Sequence, residues 1–120
     1  MARVKKEKSL TPKVKKIPKA REPSEADITK AIRDVLKACN IWHFKHWSGP
    51  LSLKGISDII GMINGRFFAI EIKTRKGAFQ AGQEEFLRSV NRAGGIGIVA
   101  RSVDDVIEAL DLGDRFLDLK

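Results

Sequence analysis

Two short apolar runs joined by Asn64-Gly65 limit the folds open to this chain more than any other feature. The runs Ile59 to Ile63 and Phe67 to Ile72 are rich in β-branched and aromatic side chains, and Asn-Gly tolerates the positive φ angles of a tight type I′ turn. The stretch predicts a β-hairpin. Side chains alternate along a strand, so Arg66, Phe68, Ile70 and Ile72 share one face and Phe67, Ala69, Glu71 and Lys73 the other. Glu71 and Lys73 then point the same way, roughly 6 to 7 Å apart by the rise per residue. Antiparallel pairing brings Asp58, at the start of the first run, towards the end of the second.

Two carboxylates and one ammonium therefore meet at one end of a mostly apolar hairpin. Burying such charges costs several kcal/mol each unless they are paired or bind a metal. The excess negative charge suits a divalent cation, and Mg²⁺ favours carboxylate and carbonyl oxygens while keeping open positions for water and substrate phosphate. Phosphoester hydrolysis is the chemistry that follows. Taken singly, each element has a plainer explanation: Glu-x-Lys on a strand is usually a solvated pair, and an Asp before a strand is usually a turn residue. The combination of Asp58 with Glu71-x-Lys73 across an Asn-Gly hairpin is what carries the reading.

The charge of the chain is concentrated at one end. The formal net charge is +8 over 120 residues, and residues 1 to 21 hold nine Lys or Arg against the single acid Glu7. The remainder balances, with 14 basic and 14 acidic residues. Residues 1 to 23 are Lys-rich, contain Pro12, Pro18 and Pro23, and lack a sustained apolar period, which predicts a flexible, disordered basic tail. Lys5, Lys6, Lys8, Lys13, Lys15, Lys16 and Lys19 are its candidate phosphate contacts, with a merely solubilising tail as the alternative. One cysteine, Cys39, rules out an internal disulfide framework. No apolar run approaches membrane length and the N-terminus lacks a secretory-type apolar core. The expectation is a soluble intracellular protein, cytoplasmic or nucleoid-associated, with one folded domain over residues 24–120.

Within that domain, Ser24 with Asp27 three residues on predicts a capped helix whose stripe runs Ile28, Ala31, Ile32, Val35, Leu36 and Cys39. Glu25 falls on the same stripe, where an acidic first-turn residue also suits the helix dipole. Ile41 to Trp47 predicts a strand with Trp42 and Phe44 in the core, followed by a loop from Ser48 to Lys54. Cys39, His43 and His46 do not make a zinc site, being one ligand short and split between strand faces. Lys45, Trp47, Ser48 and Lys54 flank the charged end of the hairpin and are candidate phosphate contacts, with a solvated loop the equal alternative, and Arg75 and Lys76 in the loop Thr74 to Ala78 are candidate phosphate contacts as well. A helix is expected from Gln80 to Ala93, stopped by Gly94-Gly95, with Gln83 in a core-facing slot of the stripe Gln83, Phe86, Leu87 and Val90. Ile96 to Ala100 reads as a buried strand, and Ser102 as the cap of a last helix containing Val106, Ile107 and Leu110. Leu112, Phe116, Leu117 and Leu119 could pack on the domain or on a second subunit.

The segments Lys54 to Ile59, Ala69 to Thr74 and Gln83 to Leu87 resemble the VRR-NUC domain, a branch of the PD-(D/E)xK nuclease superfamily, over about Ser24 to Leu110. Ser57 stands where the superfamily's name has Pro, which is not a ligand. The resemblance implies a restriction-endonuclease-like α/β fold, an αβββαβ core with a mixed central sheet flanked by helices. It also implies that Glu25 on the first helix helps hold the metal and that Gln83 belongs to the site.

The mechanism expected on these grounds is metal-assisted hydrolysis, because a general base alone supplies roughly 10²–10⁴ in rate, far below what phosphodiesters require. Asp58, Glu71 and the Ile72 carbonyl would bind Mg²⁺, or Mn²⁺ in its place, with Glu25 assisting through water. Lys73 would orient the attacking water and stabilise developing charge, and Gln83 would position water or phosphate. The resemblance further implies a DNA substrate. Small members are similar to four-way-junction resolvases acting as homodimers, and flap or general cleavage is the alternative. A protein of another class, a non-catalytic basic DNA binder with Asp58, Glu71 and Lys73 as a structural ion network, competes with the enzyme.

Overall fold

The computed structural model describes residues 21–47, 55–80 and 82–113. The tail lysines Lys5, Lys6, Lys8, Lys13, Lys15, Lys16 and Lys19, the loop residues Ser48 and Lys54, and Phe116, Leu117 and Leu119 lie outside the described residues.

The elements run α1 (Glu25–Ala38), β1 (His43–Lys45), β2 (Ile59–Ile63), β3 (Arg66–Ile72), α2 (Gln83–Arg92), β4 (Ile96–Ala100) and α3 (Val103–Ala109). The four strands form one sheet in the order β1-β2-β3-β4, antiparallel except for the parallel pair β3 and β4. This is the mixed α/β sheet expected. Asn64 (φ 50°) and Gly65 (φ 79°) both adopt the left-handed conformation of a type I′ turn. The turn fixes the register Ile59 with Ile70 and Ile63 with Arg66.

Each sheet face has its own core. Ile59, Ile63, Phe68, Ile70 and Ile72 pack with Ile98 and Ala100 against Ile28, Ile32 and Leu36 of α1 and Val106 of α3. Ile60 and Ala69 pack on the opposite face against Leu87 and Val90 of α2. The alternation read from the hairpin therefore sorts its residues between two helical layers. At β4 the approach of α2 is close, since a Cβ on Gly97 would meet the Leu87 carbonyl oxygen at 2.7 Å.

Three local expectations change. The first strand spans His43–Lys45 rather than Ile41 to Trp47, and its aromatic residues are not core: Trp42 is 63% and Phe44 44% exposed. β1 is an edge strand pairing only with β2, and α2 packs over β3 and β4 instead of reaching it. Trp42 and Phe44 pack edge to face on each other, centroids 5.7 Å apart. Helix α2 starts at Gln83 rather than Gln80, because Gly82 (φ 89°) breaks the helical path and the Gln83 N–H bonds the Gln80 carbonyl at 3.2 Å. Ser102 occupies the N-cap of α3 without a side-chain cap bond, and Asp105 instead accepts from the Arg101 N–H at 2.8 Å. At α1, by contrast, Ser24 and Asp27 form the full reciprocal capping box, at 3.1 and 2.9 Å.

Candidate active site

The β2–β3 register, continued one residue past Ile59 and Ile70, sets Asp58 opposite Glu71. Two further bonds hold Asp58 there. Its main-chain carbonyl accepts from the His46 N–H at 2.8 Å, and its side-chain Oδ2 accepts from the Ile72 N–H at 2.8 Å. The second bond fixes the carboxyl against the end of β3 through one of its two oxygens.

Glu71 is 2% exposed, on the α2 side of the sheet. Its Oε2 accepts from Gln83 Nε2 at 2.7 Å, and Lys73 Nζ lies 3.8 Å away, itself almost fully buried. Its Oε1 is buried without a hydrogen-bond partner among the described residues. Burial first, then the negative charge of Asp58, push the Glu71 carboxyl up to about 8, with Lys73 pulling the other way and Glu25 adding a small push upward. A buried acceptor oxygen beside a second carboxylate is satisfied by a cation or by a proton shared with Asp58, whose side-chain hydrogen bond also raises the Glu71 carboxyl. The oxygen donors suit Mg²⁺ or Mn²⁺.

The helix start explains the Gln83 bond. As the first residue of α2, Gln83 receives the Gln80 N–H on its Oε1 at 2.7 Å, so its amide is oriented at one end and donates to Glu71 at the other. Lys73 is held similarly. Its N–H donates to the Ala100 carbonyl at 3.0 Å, and its ammonium lies 5.9 Å from the Phe79 ring centroid.

The structure thus brings Asp58, Glu71, Lys73 and Gln83 together. Glu25 is exposed at the start of α1 and shares a groove with Asp58, Lys45 and Trp47. Among the described residues no three His, Cys, Asp or Glu side chains converge closely enough to hold one ion. Of the three carboxylates expected around a metal, Asp58 and Glu71 are neighbours in the strand register and Glu25 does not join them in one cluster. Arg75 and Lys76 are exposed in the loop before α2, and Arg75 pairs with Glu22 at 3.4 Å. Arg101 Nη1 donates to the Thr74 and Gly77 carbonyls and so pins that loop. The sequence reading missed Lys30, Arg33 and Lys37, which line the groove beside Trp47. Their spacing of three and four on α1 is a helical stripe, legible once the polar side of the helix is read as well as its apolar side. No helix among the described residues is long and apolar enough to cross a membrane.

No protein-family model matches this chain, and no curated protein sequence does. Among solved structures, the chain is similar to one described as a VRR_NUC domain protein, with 20% sequence identity, a TM-score of 0.55, and alignment over 83% of this chain and 93% of that one. The order of strands and helices and this match agree that the chain has the mixed α/β fold of that VRR_NUC domain protein.

Proposed function

We propose that this chain is a divalent-metal-dependent DNA endonuclease that hydrolyses phosphodiester bonds in branched DNA. One observation carries the reading: Glu71 Oε1 is buried beside Asp58 without a hydrogen-bond partner among the described residues, with an ammonium and a Gln amide already placed at the other oxygen. Asp58, Glu71 and the Ile72 carbonyl would hold Mg²⁺ or Mn²⁺, and Glu25 would assist through water. When bound, the ion would polarise the phosphate and lower the pKa of a nearby water.

The chain's own residues do the rest. Gln83 fixes the rotation of the Glu71 carboxylate, so that one oxygen stays available. Lys73 has donors beyond its contact with Glu71, and they hold the attacking water and meet the negative charge that grows on the phosphate oxygens. The water oxygen adds to phosphorus, one P–O ester bond breaks, and the water's protons pass to solvent and the departing alkoxide. The water-excluded setting of Glu71 and Lys73 strengthens these electrostatic effects.

A four-way junction is the first substrate and a flap the second. A single chain holds one such site, and a symmetric junction needs two matched cuts, which a homodimer supplies. The sheet face bearing Phe44, Met62 and Phe67, which are 44%, 41% and 37% exposed, offers apolar surface for a second copy. The test is cleavage of four-way, flap and linear duplex DNA with and without Mg²⁺ by the wild type and Asp58→Asn. Mg²⁺-dependent cleavage that the variant loses supports the reading. Identical behaviour of the two proteins on every substrate would overturn it in favour of a non-catalytic binder.

A further inference from the structure

The groove that begins at Asp58 does not end there. A cavity of about 530 Å³ runs between the polar face of α1 and the end of β1, lined by Lys30, Arg33, Lys37, Lys45 and Trp47 as well as Asp58. A second cavity of about 370 Å³ shares Arg33 and Lys37 with it and reaches Trp42. The two are contiguous through Arg33 and Lys37; the lining is acidic at the Glu25 and Asp58 end and basic beyond it except for Asp34, which pairs with Lys30, and Trp47 stands exposed at the acidic end. Trp47 is 75% and Trp42 63% exposed, the most exposed large apolar side chains among the described residues.

The cations are arranged along this track. Lys45 Nζ lies 4.5 Å from the Trp47 ring centroid, which places a positive charge beside an open aromatic face. His43 Nδ1 lies 2.9 Å from the Ile41 carbonyl, so its N–H donates there and Nε2 accepts from Arg33 Nε at 3.4 Å. Burial holds the His43 ring below its ordinary pKa, so Arg33 meets a neutral acceptor and keeps its charge for a ligand. Lys30 is tied to Asp34 at 2.9 Å, whereas Lys37 has no ion-pair partner among the described residues.

Basic groove plus exposed aromatic faces is the composition that holds single strands, the cations tracking phosphates and the rings stacking on unpaired bases. A paired base is already stacked on its neighbours and offers a tryptophan nothing.

We infer that the groove along α1 is a binding track for an unpaired nucleic-acid strand, with Trp47 stacking a base next to the phosphate at the Asp58 end and Arg33, Lys37 and Lys45 gripping the phosphates beyond. The inference deepens the nuclease reading and rests on it for what happens at the acidic end. It assigns single-stranded character to the DNA arm leaving the site, which favours the flap over the fully paired four-way junction as substrate.

The test titrates fluorescently labelled oligothymidylate into the full chain, in chelator, for the wild type, Trp47→Ala, Trp47→Phe and Lys37→Ala. In parallel, a blunt duplex and the same duplex with a single-stranded extension are offered with Mg²⁺. Trp47→Ala should weaken oligothymidylate binding roughly tenfold, the size of one lost base–aromatic stack, and Trp47→Phe should retain most of the affinity. Lys37→Ala should flatten the salt dependence by about 0.7 in log–log slope, the share of one single-strand phosphate contact. Variants that bind oligothymidylate as the wild type does would overturn the track, even if duplex is still cleaved. Weakened binding with no cleavage of any substrate would sink the enzyme and leave the track standing.

Discussion

Replacing Glu71 by Gln should stabilise the metal-free protein, and the gain should depend on pH. Glu71 is buried beside Asp58, and its carboxyl is pushed from the ordinary 4.5 up to about 8. Below pH 4.5 the group is protonated whether the chain is folded or not, and it costs nothing. Between pH 4.5 and 8 the unfolded chain releases the proton while the folded chain retains it, so stability falls as pH rises. Above pH 8 both states are ionised and the loss is complete. At about 1.4 kcal/mol per unit, the loss attributable to this carboxyl is on the order of 3 kcal/mol at pH 7. Gln has the same shape, still accepts from Gln83 through its carbonyl, and turns a donor towards Asp58 in place of a repelling charge. Urea denaturation of the wild type and Glu71→Gln in chelator at pH 4.5, 7 and 8.5 isolates the effect, because all other titrating groups are common to both. The variant should draw ahead by a few kcal/mol between pH 4.5 and 8.5, and added Mg²⁺ should close the gap by stabilising only the wild type. A stability difference that does not move with pH would refute the argument that two carboxylates compete for one buried space.

Further consequences follow from the same contacts. Gln83→Ala removes the donor to the buried Glu71 carboxyl and should destabilise the fold by about 1 to 3 kcal/mol, as expected when a buried acceptor loses its partner; a variant as stable as the wild type in urea would show that the bond contributes nothing. Gly61→Ala should cost about 1 to 3 kcal/mol by overpacking, because its Cβ would overlap the Phe68 ring and the Trp42 carbonyl oxygen; thermal unfolding checks it, and an unchanged midpoint would contradict it. Deleting residues 1 to 21 should make duplex binding less salt-sensitive, by about 0.9 in log–log slope for each lysine that grips a phosphate; an unaltered slope would assign those lysines to solubility alone.

The hairpin was legible because two signals of different kinds coincide there. Asn64-Gly65 sets a turn that few other residue pairs support, and charges placed within an apolar strand demand partners. That register alone puts Asp58 opposite Glu71. The aromatic run at Trp42 and Phe44 misled for a related reason: apolar character shows that a side chain prefers burial, while the number of helices available to cover a sheet edge is a property of the whole topology. The start of α2 was displaced by Gly82, whose positive φ is chosen by the packed turn and has no counterpart in periodicity. Gln83 was singled out as a polar residue on an apolar stripe, and the bond to Glu71 supplies its partner. Lys30, Arg33 and Lys37 escaped notice because α1 was read for its buried stripe, and their joint meaning depends on β1 lying alongside.

The account turns on whether the carboxylates of Asp58 and Glu71 hold one divalent ion between them. Titrating Mn²⁺ into the wild type and into Asp58→Asn, followed by the paramagnetic resonance signal of the free ion, measures this without any substrate. The wild type should remove Mn²⁺ from solution at a saturable site that Asp58→Asn lacks. Equal uptake by the two proteins, or none by either, would contradict the metal site and with it the hydrolytic mechanism.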